Sequence, residues 1–190
     1  MEAKLDAQAT KAGSLSRARA GDAATTARAG HALGDVRLLL LGLWLGAAMF
    51  FSFAVAPGAF AVLPARELAG AIVTRTISVV NVCGFVIGLL LLATAFAGRG
   101  AAAARRAWLS EVFALALLVL ATGTGHWVVS ARMHALRLSM GRPIDELAQS
   151  DPLRLAFNDL HGYSVAAMTA AMLAGLFAFI LIARRNRNLK

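Results

Sequence analysis

The sequence predicts an all-α integral membrane protein, an antiparallel four-helix transmembrane bundle, because it is strongly apolar and carries four long apolar runs. Hydrophobic residues make up 59% of the 190 residues and the mean hydropathy is +0.68, more apolar surface than a soluble domain of this size buries. Each run has roughly the ~20 residues that a helix needs to cross a bilayer. The runs lie at about 38–63, 77–97, 108–129 and 165–183.

Composition divides the chain into three parts. Residues 1–36 are rich in Ala, Gly, Ser, Thr and charge and contain no aromatic side chain, which predicts a disordered basic N-terminal tail. Residues 37–186 form the transmembrane domain, and residues 187–190 are expected to be a short basic C-terminal tail.

The third and fourth helices are expected to extend beyond the outer leaflet. Asp151 followed by Pro152 is typical of a helix start, an N-cap with proline in the first helical position. The fourth helix is therefore expected to begin at 152, before its apolar run at 165. The third is expected to extend to about residue 140 and to stop near Gly141.

The distribution of cations predicts the orientation. With four spans, 13 of the 19 Lys and Arg residues fall on the side of the two termini. The positive-inside rule then places both termini in the cytoplasm, in a multi-pass protein most typical of a bacterial inner membrane. Because the cations flank apolar runs, the expected partner is the lipid bilayer, and a nucleic-acid-binding function is excluded.

Small residues at four-residue spacing predict close helix packing. The sequence offers one such ridge on each of three spans, which favours a compact bundle and leaves open a homo-oligomer formed through the same ridges. The residues are Gly42 and Gly46 on the first span, Gly84 and Gly88 on the second, and Ala171 and Gly175 on the fourth.

Polar residues concentrate in the outer halves of the spans, whereas the inner halves hold little besides Glu111 and Thr94. Ionisable residues within a membrane are candidates for function by default, although Glu111 is most simply explained as an interfacial ion pair with Arg105 and Arg106. The candidate ligand-binding residues in the outer halves are Pro57, Arg75, Asn81, His126, Asp159, His161 and Ser164.

Two histidines suggest an alternative site. His126 and His161 fall at similar predicted depths on consecutive spans, an arrangement that suits the axial ligands of haem b. With Met168 on the face of His161, the pair also suits copper, which favours thioether ligands. A structural histidine pair and a core methionine explain the same pattern.

Two motifs give the chain a family resemblance. The first span has Trp-x-Gly at residues 44–46, an aromatic run, and Ala-Pro-x-x-Phe at 56–60; the last begins with Leu-His-x-x-Ser at 160–164. These motifs resemble those of the TMEM205-like (DUF4149) family. The resemblance implies a four-span membrane protein with no known enzyme activity, whose animal member is linked to tolerance of platinum drugs.

Three functions remain open at this point. The first is a non-enzymatic protein that binds or helps export a small solute or metal, or organises a partner, at the outer face of the bundle. The second is a bis-histidine haem protein that transfers electrons. The third is a purely structural subunit. No phosphate-binding loop, nucleophile elbow or zinc-protease motif occurs in the sequence, which favours a non-enzymatic protein.

Overall fold

A computed structural model of the protein describes residues 2–97, 105–141 and 143–187. Its helices are as follows. Helix α1 consists of an α-helical segment Glu2–Phe50, a π-helical segment Phe51–Val55 and an α-helical segment Ala56–Val62. Helix α2 is Arg66–Ala97. Helix α3 joins Arg105–Gly123, the π-helical segment Thr124–Ser130 and Ala131–Met140. A short 3-10 turn, Ile144–Glu146, precedes helix α4, Pro152–Arg187.

Four stretches of these helices are long and apolar enough to cross a membrane, judged by length and composition. They are Arg28–Val62, Arg66–Phe96, Arg105–Met140 and Pro152–Arg187. The protein is therefore a multi-pass helical membrane protein, as expected. We call the end of the bundle near residues 37 and 185 the termini end. The opposite end, which holds residues 63–65, 141 and 143–151, is the loop end.

The helices form an antiparallel bundle in which each packs against its neighbours in the chain. Helix α3 contacts both α2 and α4, and α4 returns to pack against α1. The fully buried side chains Leu41, Leu91, Leu115, Leu118 and Ile182 belong to all four helices, so one shared core holds the bundle together.

The extensions of α3 and α4 agree with the sequence. Helix α3 ends at Met140, and Gly141 follows with a φ of 63°, the left-handed conformation that glycine adopts readily after a helix. The backbone N–H of Leu153 donates to Oδ1 of Asp151 at 2.9 Å, so Asp151 caps α4 immediately before Pro152.

Two helix starts differ from the sequence-based boundaries. Helix α2 begins at Arg66, about three turns before the apolar run at Ile77, because residues 66–69 are the good helix formers Arg, Glu, Leu and Ala. Helix α1 begins at Glu2 and so includes the segment for which composition predicts disorder. Eleven of the first 36 residues are Ala, which has the highest intrinsic helix propensity. Of the C-terminal tail, only Arg187 is among the described residues.

Trp44 lies at the centre of the helix packing. Its indole N–H donates to the backbone carbonyl of Val80 on α2 at 2.9 Å. Its ring lies against Gly175 of α4, where an added Cβ would come within 3.0 Å of it, and against Gly84 of α2. Since lipid provides little driving force for helices to associate, contacts of this kind hold the bundle.

The glycines that the four-residue spacing identifies differ in how closely a neighbouring helix approaches them. A Cβ at Gly88 would lie 2.7 Å from Val119 Cγ2, and one at Gly42 would lie 3.4 Å from the Phe179 ring. At Gly46 nothing lies within 4 Å. Gly46 faces outward from the bundle, whereas Gly84, Gly88, Gly175 and the buried Ala171 lie at helix contacts.

Replacing Gly84 by alanine is expected to destabilise the bundle. The Cβ of the new alanine would lie 2.6 Å from Trp44 Nε1, an atom that the hydrogen bond to the Val80 carbonyl holds in place. Overpacking of this kind costs about 1–3 kcal/mol. Thermal unfolding of the detergent-solubilised protein measures the effect. Gly46→Ala is the matched control. It changes helix propensity by the same amount, but the added Cβ has no neighbouring atom within 4 Å. Equal melting temperatures for the two variants would contradict the packing of Trp44 on Gly84.

Candidate functional site

Polar side chains of α2 and α3 meet along a line toward the loop end. Thr74, Ser78 and Asn81 follow the spacing i, i+4 and i+7, which places them on one face of α2. His126 and Arg137 reach this face from α3. We call these five residues the polar seam.

Direct contacts join the two sides of the polar seam. Ser78 Oγ and His126 Nδ1 share a hydrogen bond of 3.0 Å. Arg137 donates from Nη1 to Thr74 Oγ1 at 3.2 Å, and its guanidinium carbon lies 5.2 Å from the centre of the Phe157 ring of α4, a cation–π distance. Arg137 thus ties α3 to both of its neighbours.

The π-helical segment of α3 forms the wall opposite Asn81. Asn81 is buried, and a Cβ added at Gly125 would lie 3.0 Å from its side-chain nitrogen, so glycine lets the two helices approach here. Ser130 Oγ donates to the carbonyl of Gly125 five residues earlier, at 2.9 Å. A π-helical turn leaves backbone groups without their usual partners and often occurs at functional sites.

A second π-helical segment lies in α1 directly before Pro57. Proline lacks an N–H and its ring collides with the carbonyl four residues earlier. The wider turn at Phe51–Val55 accommodates both effects, and α1 continues to Val62. Pro57 therefore changes the local helix geometry, but its own side chain is exposed.

Apolar packing closes the polar seam toward the termini end. Thr122 is fully buried, and its hydroxyl donates to the carbonyl of Leu118 at 2.7 Å, within its own helix. Beyond it, Leu41, Leu91, Leu115 and Leu118 are at most 1% exposed. The seam therefore ends against a dry layer near the middle of the bundle.

A buried ion cluster, Arg37, Glu111 and Arg185, occupies the termini end. Nη2 of Arg37 donates to Glu111 Oε1 at 2.5 Å and to the carbonyl of Leu91 at 3.1 Å. Nη1 of Arg185 donates to Glu111 Oε2 at 2.8 Å. Both Arg37 and Glu111 are 2% exposed. The Glu111 carboxylate therefore joins side chains of α1, α3 and α4, and Arg37 adds a bond to the backbone of α2.

The same end brings α1 and α4 into close contact. The Asn186 side-chain nitrogen donates to Asp35 Oδ1 at 3.1 Å, and the Asn186 side chain occupies the space where a Cβ of Gly34 would lie. These contacts hold Arg185 next to Glu111.

Sequence reasoning missed this cluster. The sequence suggests that Glu111 pairs with Arg105 and Arg106, whereas in the structure Glu111 forms ion pairs with Arg37 and Arg185. One signal was available. Each of the three residues lies within about one helical turn of that end of an apolar run which faces the termini end. A carboxylate at such a position requires a cation nearby, because an unpaired charge in lipid is unfavourable.

The structure brings two of the predicted ligand-binding residues, Asn81 and His126, into the polar seam. The others lie elsewhere. Asp159 lines a groove between α3 and α4, Ser164 is half-buried on α4, and Met168 is part of the apolar core. Three more of the predicted residues are exposed: Pro57, Arg75 and His161.

The two histidines of the haem and copper hypotheses are not brought together. His126 pairs with Ser78, whereas His161 is exposed. Tyr163 of α4 and Arg132 of α3 line the groove between these two helices, so His161 lies level with the extension of α3. Arg132 is six residues after His126, which places this level about 9 Å or more beyond His126 along the helix. Within the described residues, no group of three or more His, Cys, Asp or Glu side chains is placed to hold a metal ion.

The fold and the site define a helical membrane protein with a polar seam toward the loop end and a buried ion cluster at the termini end. The model of a family described as a domain of unknown function, DUF4149, matches residues 39–142. The chain belongs to this family. The matched region includes Trp44, the polar seam and Glu111. No curated protein and no solved structure matches the chain.

Glu111→Gln is expected to destabilise the bundle by about 3–5 kcal/mol, because it leaves Arg37 buried without a counter-charge. Thermal or denaturant unfolding in detergent measures the loss. Arg185→Gln is the matched control: its side chain is 39% exposed, so water screens it and the loss should be much smaller. A Glu111→Gln protein as stable as Arg185→Gln would contradict the role assigned to the buried pair.

Proposed function

We propose that the protein is a non-enzymatic multi-pass membrane protein that binds a small polar solute in the polar seam, entering from the outer face. The observation that carries this proposal is the seam itself. Five polar side chains of α2 and α3 lie together toward the loop end, next to an apolar layer of the core and apart from the ion cluster at the termini end.

The energetics of a bilayer support a binding role. Hydrogen-bonding and ionisable groups in a membrane helix are unfavourable unless they are paired or serve a ligand or solvent path. A purely structural link between α2 and α3 needs only small residues of the kind found at Gly84 and Gly88. Ser78, Asn81 and His126 supply both donors and acceptors, as recognition of a polar solute requires.

The loop end is assigned to the outer face by the distribution of cations. The termini end holds the larger share of Lys and Arg, which the positive-inside rule associates with the cytoplasm. This orientation corresponds to both termini in the cytoplasm of a bacterial inner membrane. The polar seam then opens outward, and the dry layer of leucines separates it from the cytoplasm.

The family resemblance supports a role in handling solutes. The motifs at residues 44–60 and 160–164 are similar to those of the TMEM205-like proteins, and the animal member is linked to tolerance of platinum drugs. A seam that captures a solute at the outer face is compatible with such a role. Direct ligation of a metal by His126 and His161 is less well supported, since they lie at different levels of the bundle.

Accessibility of a cysteine in the seam tests the proposal. In a Cys83→Ser background, Ser78→Cys is expected to react with a charged, membrane-impermeant thiol reagent added to intact cells. The reaction requires water, because the thiolate is the reacting species. Val79→Cys is the matched control: it is one residue away and faces outward from the bundle, into lipid.

The expected result is labelling at position 78 at least about tenfold faster than at position 79, since a lipid-facing thiol stays protonated and out of reach. The same reagent applied only from the cytoplasmic side should label neither. Equal slow labelling at both positions from outside would show a dry seam and contradict the proposal. Faster labelling from the cytoplasmic side would contradict the orientation.

A further inference from the structure

A groove of about 530 Å³ lies between the extension of α3 and the first turns of α4. Its floor is apolar and is formed by Ala135, Leu136, Ala156 and Leu160. Two charged side chains of opposite sign, Arg132 and Asp159, line it together with Tyr163. This groove is separate from the polar seam.

The groove lies at the level of lipid headgroups. Arg132 is three residues beyond Val129, the last residue of the apolar run of α3, which is about 4–5 Å along the helix. Asp159 is six residues before Val165, about 9 Å beyond the apolar run of α4. Tyr163 is two residues before Val165, about 3 Å beyond the apolar run, and it is exposed, in the belt where tyrosine is enriched at membrane interfaces.

The two charges of the groove remain available. Among the described residues, neither Arg132 nor Asp159 forms an ion pair at 4 Å or less, whereas Glu111 pairs with Arg37 and Arg185. Both side chains are exposed. An apolar floor with a separated cation and anion at its rim is complementary to a molecule that has an apolar part, an anion and a cation.

We propose that this groove binds a phospholipid of the outer leaflet with a phosphoethanolamine headgroup. The guanidinium of Arg132 pairs with the phosphodiester, for which its planar donors are well suited. The primary ammonium donates hydrogen bonds to the carboxylate of Asp159. The glycerol and the first acyl carbons cover the apolar floor, which a bilayer-embedded molecule reaches without leaving the membrane.

Charge complementarity selects this occupant over related lipids. A purely anionic headgroup would pair with Arg132 but would be repelled by Asp159. A choline headgroup carries the same charges but has no N–H to donate to the carboxylate. A soluble headgroup without chains would leave the apolar floor uncovered, which forfeits the hydrophobic contribution.

Native mass spectrometry of the full chain tests the inference. The protein is equilibrated in detergent with equal amounts of ethanolamine, choline and glycerol phospholipids of the same acyl composition, and the retained lipid is identified. The ethanolamine lipid is expected to be retained about tenfold more than either other lipid, the ratio that 1.4 kcal/mol produces. Arg132→Gln and Asp159→Asn should each abolish this preference.

Arg75→Gln and Glu146→Gln are matched controls, since both residues are exposed charges away from the groove lining, and both variants should keep the preference. Equal retention of the three lipids, or a preference for the glycerol lipid, would overturn the inference. So would a preference that survives both groove variants, or soluble glycerophosphoethanolamine binding as tightly as the lipid. None of these results bears on labelling at Ser78, so the two proposals fail separately.

Discussion

The bilayer offers no water to satisfy a polar side chain, and this constraint organises the whole bundle. Polar groups among the spans are therefore favoured to pair within the protein or to face something that enters from outside; among the buried side-chain atoms that the structure describes, Arg37 Nε is the exception. At the termini end, Glu111 takes hydrogen bonds from Arg37 and Arg185. At the centre, the Trp44 N–H is satisfied by the Val80 carbonyl. Toward the loop end, the polar seam carries more donors and acceptors than helix packing requires.

These three levels make the bundle asymmetric along its axis. The ion cluster and the tryptophan fix the positions of α1, α3 and α4 relative to α2, and a layer of buried leucines lies between them. Because this half is closely packed, the other half can hold a π-helical segment, a histidine and a buried asparagine without loss of the overall fold. The rigid half therefore supports the half to which we assign binding.

Much of the architecture follows from the sequence because bilayer thickness and hydropathy determine it. The four crossings, the Asp151 cap and the Gly141 stop follow from local patterns alone. The concentration of polar residues toward one end is also visible, and it selects Asn81 and His126. What local patterns do not determine is register and rotation. These decide that His126 pairs with Ser78 rather than approaching His161, that Glu111 pairs with Arg37 across the bundle, and that Gly46 faces outward while Gly84 receives Trp44.

The central claim is that water reaches the polar seam and not the tryptophan level. Water-edited solid-state NMR of the protein in lipid bilayers measures this directly, as the rate at which magnetisation passes from water to assigned side chains. We predict early transfer to the His126 ring nitrogens and late transfer to the Trp44 indole nitrogen. Equally late transfer to both would show a dry bundle and would contradict a solute-binding seam.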